Sequence, residues 1–196
     1  MIQITVALLA FIAAGPGAFA GPIHDAARDG DLEKVRVLVG DGAEIDAQSE
    51  RGETPLILAT LAGQKEVVEL LVEKGAAIDG RNAGGFTPLH AAAYAGNAAI
   101  AELLIERGAD INDAQNKAGV TPLFPAIEED HEEVAELLVA KGADLGSKER
   151  AGYTALTRAL FKGHEDMVIL LRSNGAECQS DVLNETQYQA CLAAGK

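Results

Sequence analysis

The sequence repeats itself every 33 or 34 residues, and this period constrains the fold more than any other feature. The dipeptide Gly-Ala recurs with spacings of 33, 33, 34 and 33 residues, starting at Gly42, Gly75, Gly108, Gly142 and Gly175. A second marker, threonine followed by proline or alanine and then leucine, keeps the same step at Thr54, Thr87, Thr121 and Thr154. A period of this length predicts an array of small stacked units rather than one large core.

Each marker has a local structural role. Threonine followed by proline starts a helix, because the hydroxyl accepts a bond from a free backbone N–H and proline needs no donor at the first helical position. Gly63 and Gly96 supply a left-handed turn between two helices, and Asp130 adopts it at higher cost. Gly75 ends the second helix. The repeat is therefore predicted to be helix, turn, helix and projecting turn.

Three segments of one period resemble the ankyrin repeat family: TPLHAA at residues 87–92, the apolar helix at residues 100–105, and GADIN at residues 108–112. The resemblance covers about residues 22–177. It implies an all-α solenoid of about five helix-turn-helix units with projecting β-turn or hairpin loops and a C-terminal capping helix. Other copies depart from the family at the position of His90, where they carry Ile57, Phe124 and Thr157.

The chain is predicted to divide into seven segments. Residues 1–20 are a cleaved signal peptide, residues 21–50 an N-terminal capping repeat, and residues 51–82, 83–116, 117–149 and 150–180 four more repeats; these five are called the first to fifth repeats below. Residues 181–196 are a capping helix and tail, with Ser180 or Asp181 at the helix start and Leu183, Ala190 and Cys191 facing the fifth repeat.

The first 20 residues contain no charged side chain, and residues 4–14 are almost entirely apolar. This stretch is too short to span a bilayer, which takes about 20 residues. Ala18, Phe19 and Ala20 then form the small-x-small pattern of a signal peptidase site. We expect cleavage after Ala20 and a periplasmic or secreted protein that does not remain in the membrane. The alternative is an uncleaved anchor or a buried N-terminal helix.

Two cysteines, Cys178 and Cys191, lie close to the C-terminus. An exported protein favours a disulfide between them, because exported proteins fold in oxidising compartments. The alternative, if residues 1–20 are not a signal peptide, is two reduced thiols packed against the fifth repeat.

No catalytic group, cofactor site or metal site is predicted. The four histidines occupy repeat-related positions, His24 and His90 at one and His131 and His164 at another, and none belongs to a pair with zinc spacing. The chain has neither the serine elbow of a hydrolase nor a phosphate-binding glycine loop.

The charge of the chain limits the partners it can bind. Sixteen Lys and Arg against thirty Asp and Glu give a formal net charge of −14, which repels nucleic acids. Residues 128–133 hold five carboxylates. Glu132 and Glu133 suit a helix N-terminus, whereas Glu128 and Glu129 end a helix, where negative charge is unfavourable. Glu128 and Glu129 therefore suggest a partner with a basic surface.

In ankyrin proteins, partners usually contact the turn tips and the first helices. The resemblance implies a binding surface at these positions here, and we expect Phe86 and Tyr153 to be exposed as aromatic anchors. The tip residues are Glu53, Phe86, Val120 and Tyr153, and the first-helix residues are Leu58, Leu61, Tyr94, Glu128, Glu129, Arg158 and Phe161.

The predicted function is non-catalytic: a monomer that binds a client protein on its concave face as adaptor, inhibitor or protector. One alternative is a structural envelope component anchored by an uncleaved N-terminus. The other is a small metal-dependent hydrolase, which would need a clustered His and carboxylate pocket.

Overall fold

The computed structural model describes residues 21–194, which contain eleven α-helices. The predicted signal peptide at residues 1–20 lies outside the described residues. Each repeat contributes two helices and the C-terminal segment one; in chain order these are α1 (Pro22–Asp29), α2 (Leu32–Gly40), α3 (Pro55–Leu61), α4 (Lys65–Glu73), α5 (Pro88–Ala95), α6 (Ala98–Glu106), α7 (Leu123–Glu128), α8 (Glu132–Ala140), α9 (Ala155–Lys162), α10 (Glu165–Ser173) and α11 (Glu185–Ala193).

The chain forms two compact units, with the boundary between Asp110 and Ile111. Within the first unit, α1, α3 and α5 pack in succession, as do α2, α4 and α6. Within the second unit, α7 packs on α9 and α8 on α10. Within each unit, neighbouring helix pairs thus bury their apolar sides against each other, because a single repeat is too small to do so alone. The predicted all-α array of helix-turn-helix units is confirmed.

Threonine caps start the first helices of three repeats, as predicted. The hydroxyls of Thr54, Thr87 and Thr154 accept bonds from the backbone N–H three residues later, at 3.3, 3.5 and 3.3 Å. Each such cap stabilises a helix by about 1 kcal/mol.

The fourth repeat lacks this cap. Thr121 has a buried hydroxyl without a hydrogen-bond partner, and α7 starts only at Leu123. In the third repeat, Thr87 Oγ1 also bonds His90 Nδ1 at 2.8 Å. Phe124 takes the histidine position in the fourth repeat, and its ring is buried but offers no such bond. The start of α7 therefore has neither the threonine cap nor the threonine–histidine bond of the third repeat.

The turns between paired helices use left-handed backbone. Gly63 and Gly96 have φ of 73° and 71°, and Asp130, with φ of 60°, is the one non-glycine residue with positive φ in residues 21–194. The predicted conformations are confirmed at all three positions.

Replacing Asp130 with glycine is expected to raise the free energy of unfolding by about 0.5–1 kcal/mol, because glycine adopts positive φ without the side-chain clash. Part of this gain is lost with the 3.3 Å contact between Asp130 Oδ1 and His164 Nδ1. That contact contributes less to stability than the glycine adds, because the Asp130 carboxylate is largely exposed. Urea unfolding followed by circular dichroism measures the change. Gly163→Asp is the reverse substitution at the next repeat, where φ is 76° and a Cβ meets no atom within 4 Å. An unchanged stability for Gly163→Asp would contradict the argument.

Side-chain oxygens at one register position join successive projecting loops. In the first unit, Asp46 Oδ1 accepts a bond from Ala77 N at 2.9 Å, and Asp79 Oδ1 accepts one from Asp110 N at 3.3 Å. In the second unit, Asn112 Oδ1 accepts one from Asp144 N at 2.8 Å. These bonds form a ladder with the period of the sequence.

The ladder stops in the fourth repeat. Gly146 occupies the next register position and has no side-chain acceptor. Gln179 occupies the register position after Gly146, and its side-chain amide bonds residues of its own repeat. Its Oε1 accepts bonds from Thr154 N at 2.8 Å and the Thr157 hydroxyl at 2.6 Å, and its Nε2 donates to Gly152 O at 2.9 Å.

The C-terminal helix α11 starts later than predicted. Asn184 caps it, with its side chain accepting a bond from Gln187 N at 2.9 Å, whereas Ser180 and Asp181 were expected at the helix start. The reason is that Leu183 N bonds Gln179 O, which keeps the preceding residues in a turn. Leu183 and Cys191 are buried as expected; the expectation for Ala190 is wrong, because it is exposed.

Cys178 and Cys191 form a disulfide that ties α11 to the fifth repeat, with 6.1 Å between the Cα atoms. The predicted bond is confirmed over the alternative of two reduced thiols. Arg172 strengthens the attachment: its Nε donates to Cys191 O at 3.1 Å and its Nη1 to Ala176 O.

Candidate protein-interaction surface

The tip turns of the first unit bury residues that were predicted to face a partner. Phe86 is only 2% exposed, so the exposure expected for it is wrong. Glu53 and Leu58 are also buried, while Leu61 and Tyr94 are half-buried. Of the predicted set in this unit, the last two remain accessible.

Phe86 turns inward because its tip is held by hydrogen bonds. Asn82 Oδ1 accepts bonds from Gly84 N at 2.9 Å and from Phe86 N at 3.0 Å. The ring folds over Gly84, where an added Cβ would lie 2.8 Å from it, and meets the His90 imidazole edge-on at 5.5 Å between centroids. At this tip, the residue between the turn glycine and the capping threonine therefore fills the repeat interior.

Asn116 and Val120 repeat this arrangement in the second unit. Asn116 Oδ1 accepts a bond from Val120 N at 3.1 Å, and Val120 is fully buried. The binding role expected for Val120 therefore lacks an accessible side chain.

The fifth repeat presents an aromatic pair, Tyr153 and Phe161, at its tip and on α9. The rings meet edge to face, with 5.4 Å between centroids and an interplanar angle of 84°. Tyr153 is half-buried, and Phe161 is 42% exposed. The Arg158 guanidinium lies 5.1 Å from the Tyr153 centroid, a cation–π contact that fixes the ring.

A four-residue ion network of Glu128, Glu149, Arg158 and Lys162 lies beside this pair. Arg158 Nη2 is 3.1 Å from Glu149 Oε1, and Arg158 Nε is 3.8 Å from Glu128 Oε1. Lys162 Nζ is 2.8 Å from Glu128 Oε2. The Glu149, Glu128 and Arg158 side chains are only 3%, 5% and 11% exposed. The network therefore neutralises two buried carboxylates with two cations.

Sequence reasoning missed this network, because it considered residues 128–133 as a run of like charges. Glu128 was predicted to face a basic partner, but it is buried and already contacts two cations of its own chain. The available signal was the period: Lys162 follows Glu128 by 34 residues, which places the two side by side on stacked first helices.

Exposed carboxylates flank the aromatic pair. Those of the fourth repeat are at the turn between α7 and α8, and those of the fifth repeat begin α10; they are Glu129, Asp130, Glu132, Glu133, Glu165 and Asp166. The exposed charge of these turns is therefore mainly negative.

The repeat geometry agrees with a comparison against protein families. A family model described as ankyrin repeats (3 copies) matches residues 23–115 and 113–181. The chain belongs to the ankyrin repeat family. Ankyrin repeats indicate a protein–protein interaction module, and ankyrin repeat proteins are generally non-catalytic. No curated protein matches the sequence.

The imidazole of His24 in this ankyrin protein bonds backbone groups on both of its nitrogens. His24 Nδ1 bonds Gly21 N at 3.1 Å, and its Nε2 lies 2.8 Å from Ala47 O. In residues 21–194, no three His, Cys, Asp or Glu side chains are placed to hold a metal ion. Over the same range, none of the helices is long and apolar enough to cross a membrane.

A cleft of about 440 Å³ opens in the second ankyrin unit beside Gly146, Lys148, Cys178 and Gln179. It lies where the ladder of loop bonds lacks an acceptor at Gly146. Next to it, Asp144 accepts bonds from the Ser147 hydroxyl at 2.7 Å and from Gly146 N at 2.9 Å, and these bonds lower the pKa of Asp144. No predicted partner-binding residue lines this cleft.

Proposed function

We propose that this ankyrin protein is a periplasmic or secreted binding module that holds a client protein as adaptor, inhibitor or protector and performs no chemistry. It acts as a monomer whose contact surface lies on the tips and first helices. The observation that carries the proposal is the repeat array itself: first helices pack on first helices within each unit, and ankyrin repeats indicate a protein–protein interaction module.

Location outside the cytoplasm is supported by the disulfide between Cys178 and Cys191. Disulfides persist in oxidising compartments and are rare where thiols are kept reduced. The apolar segment and small-residue site at residues 1–20 point to the same compartments.

A basic client is supported by charge. The formal net charge of −14 repels nucleic acid and attracts a positively charged protein surface. The contact residues that this proposal retains from the predicted set are the accessible ones: Leu61 and Tyr94 in the first unit, and Glu129, Tyr153 and Phe161 in the second. Arg158 is not retained, because its side chain is 11% exposed and contacts Glu149 and Glu128.

Photo-crosslinking in the native host tests the function. A photoreactive residue replacing Tyr94 or Phe161 is expected to give one enriched protein adduct, because both positions lie on the proposed contact surface. Val37 on α2 and Ile169 on α10 are exposed apolar residues on second helices and serve as matched control positions. Mass spectrometry of the captured chain also reads its first residue.

The outcomes are distinct. Adducts at Tyr94 and Phe161 but not at the controls would support the module, and a chain beginning at Gly21 would support export with cleavage. Equal labelling at all four positions, or no adduct at any, would contradict the proposed function. A chain beginning at Met1 would favour the anchored envelope component.

A further inference from the structure

We propose that the second unit binds a basic segment of the partner protein. One apolar side chain of that segment packs on the aromatic pair Tyr153 and Phe161, and flanking Lys or Arg side chains lie beside Glu129 and Asp130. These four residues are called the fifth-repeat docking surface. The proposal rests on the proposed function and adds the chemistry of the partner.

The aromatic pair is held in place before a partner arrives. Glu149 Oε2 accepts a bond from Ala151 N at 2.8 Å, and Glu149 N bonds Tyr153 O at 3.1 Å, so the tip that carries Tyr153 is fixed. Arg158 and Phe161 contact the Tyr153 ring on two sides. A rigid aromatic anchor loses little conformational entropy on binding, and this is the property of residues that dominate interface energies.

Phe161 is exposed although its chemistry favours burial. It is 42% exposed, whereas Tyr94, at the same position in the first helix of the third repeat, is half-buried. The hairpin position beside it also differs between the two repeats, because Phe86 is 2% exposed and Tyr153 is half-buried. Covering a large apolar side chain stabilises a complex by roughly 25 cal/mol per Å² of apolar area.

The cations near the aromatic pair already contact carboxylates of the chain. The Arg158 side chain is 11% exposed and lies between Glu149 and Glu128, and Lys162, which is 41% exposed, contacts Glu128 at 2.8 Å. Glu129 and Asp130 are exposed and add negative charge beside the pair. This charge is complementary to Lys and Arg and disfavours an acidic segment or a nucleic acid.

Two contacts place the acidic turn next to the end of α9. Lys162, the neighbour of Phe161 in the chain, has its Nζ 3.5 Å from Glu128 O, one residue before Glu129. His164 Nδ1 is 3.3 Å from Asp130 Oδ1. A single short segment can therefore contact the aromatic pair and the acidic turn together.

Binding of three synthetic peptides of equal length tests the proposal. The first alternates leucine with lysine and arginine, the second alternates leucine with glutamate, and the third alternates serine with lysine and arginine. Affinities for the full folded chain are measured by isothermal titration calorimetry. We expect the first peptide to bind at least about tenfold more tightly than either of the others, because it alone supplies both apolar and positive groups.

Substitutions in the chain locate the contact. Phe161→Ala is expected to weaken binding of the leucine–lysine–arginine peptide about tenfold. Glu129→Gln with Asp130→Asn is expected to weaken it and to reduce its dependence on salt, because fewer charge contacts remain to be screened. Ile169→Ala, a matched exposed apolar residue on α10, is expected to leave the affinity unchanged. Circular dichroism confirms that each variant is folded.

Several results would overturn the proposal. One is a glutamate peptide that binds as tightly as the leucine–lysine–arginine peptide, and another is equal weakening of binding by Phe161→Ala and Ile169→Ala. A third is a wild-type dimer in sedimentation that becomes a monomer in the Phe161→Ala variant, which would make a second copy of the chain the occupant. Adducts that form at Tyr94 in the host while the peptide result is negative would leave the proposed function standing and reject this surface. Absence of any adduct would reject the function itself.

Discussion

Replacing Arg158 with methionine is expected to lower the free energy of unfolding by about 3–5 kcal/mol. Removing one partner of a buried ion pair leaves the other charge without compensation, and this is among the larger effects a single substitution produces. Glu149 loses its cation at 3.1 Å, and its side chain is 3% exposed, so water replaces little of that interaction. Tyr153 also loses the cation–π contact, which adds roughly 0.5–1 kcal/mol. Urea unfolding monitored by circular dichroism measures the loss.

Lys162→Met is the matched control for Arg158→Met. Lys162 shares the partner Glu128 but is 41% exposed, so its removal is expected to lower stability by about 1 kcal/mol or less. The double variant Arg158→Met with Glu149→Gln is expected to regain part of the loss, because it no longer buries an unpaired carboxylate. Equal, small losses for Arg158→Met and Lys162→Met would show that the network is not buried in solution.

Reducing the disulfide between Cys178 and Cys191 is expected to lower the free energy of unfolding by about 3 kcal/mol in the chain-entropy model. The two cysteines are separated by 13 residues, so reduction releases a short loop in the unfolded chain. In the folded chain, α11 keeps the Arg172 bonds but loses its covalent attachment to the fifth repeat. Urea unfolding with and without dithiothreitol measures the difference.

The double variant Cys178→Ser with Cys191→Ser is the control for the reductant. It is expected to unfold at the urea concentration of the reduced protein and to be insensitive to dithiothreitol. Hydrogen exchange read by mass spectrometry is expected to show faster exchange in α11 than in α9 after reduction. A reduced wild-type chain that unfolds at the same urea concentration as the oxidised one would contradict this prediction.

The helices and their starts were predictable because they depend on local chemistry that recurs with the period. Thr54 and Thr87 cap their helices, and Gly63 and Gly96 provide the left-handed turns. Both roles depend only on the neighbouring backbone. The missing cap at Thr121 was not predictable from the histidine position, because Ile57 also replaces histidine there and Thr54 still caps its helix. Local rules therefore predicted most of the repeat.

The candidate surface was less predictable because side-chain direction depends on contacts that the local pattern does not contain. Phe86 and Tyr153 hold the same position, yet only one is buried. Their helices differ at a second position, where the third repeat has alanine and the fifth has Arg158, whose guanidinium supports Tyr153 beside the surface. Glu128 appeared free because its cations come one period later in the chain. Comparing residues at related positions of neighbouring repeats would have indicated the cations of Glu128, and comparing the third repeat with the fifth would have indicated the role of Arg158.

Gln179 has a consequence for engineering the length of this protein. Asp46, Asp79 and Asn112 each reach forward to the following loop, so they act as connectors between modules. Gln179 occupies the same register position, but its amide bonds Thr154, Thr157 and Gly152 of its own repeat and so does not point to a following loop. A design that adds a module after the fifth repeat can place a forward-facing acceptor at this position, as Asn112 does with its amide oxygen, and must release Cys178 from α11. Gln179 and Cys178 thus join the last repeat to itself and to the C-terminal helix.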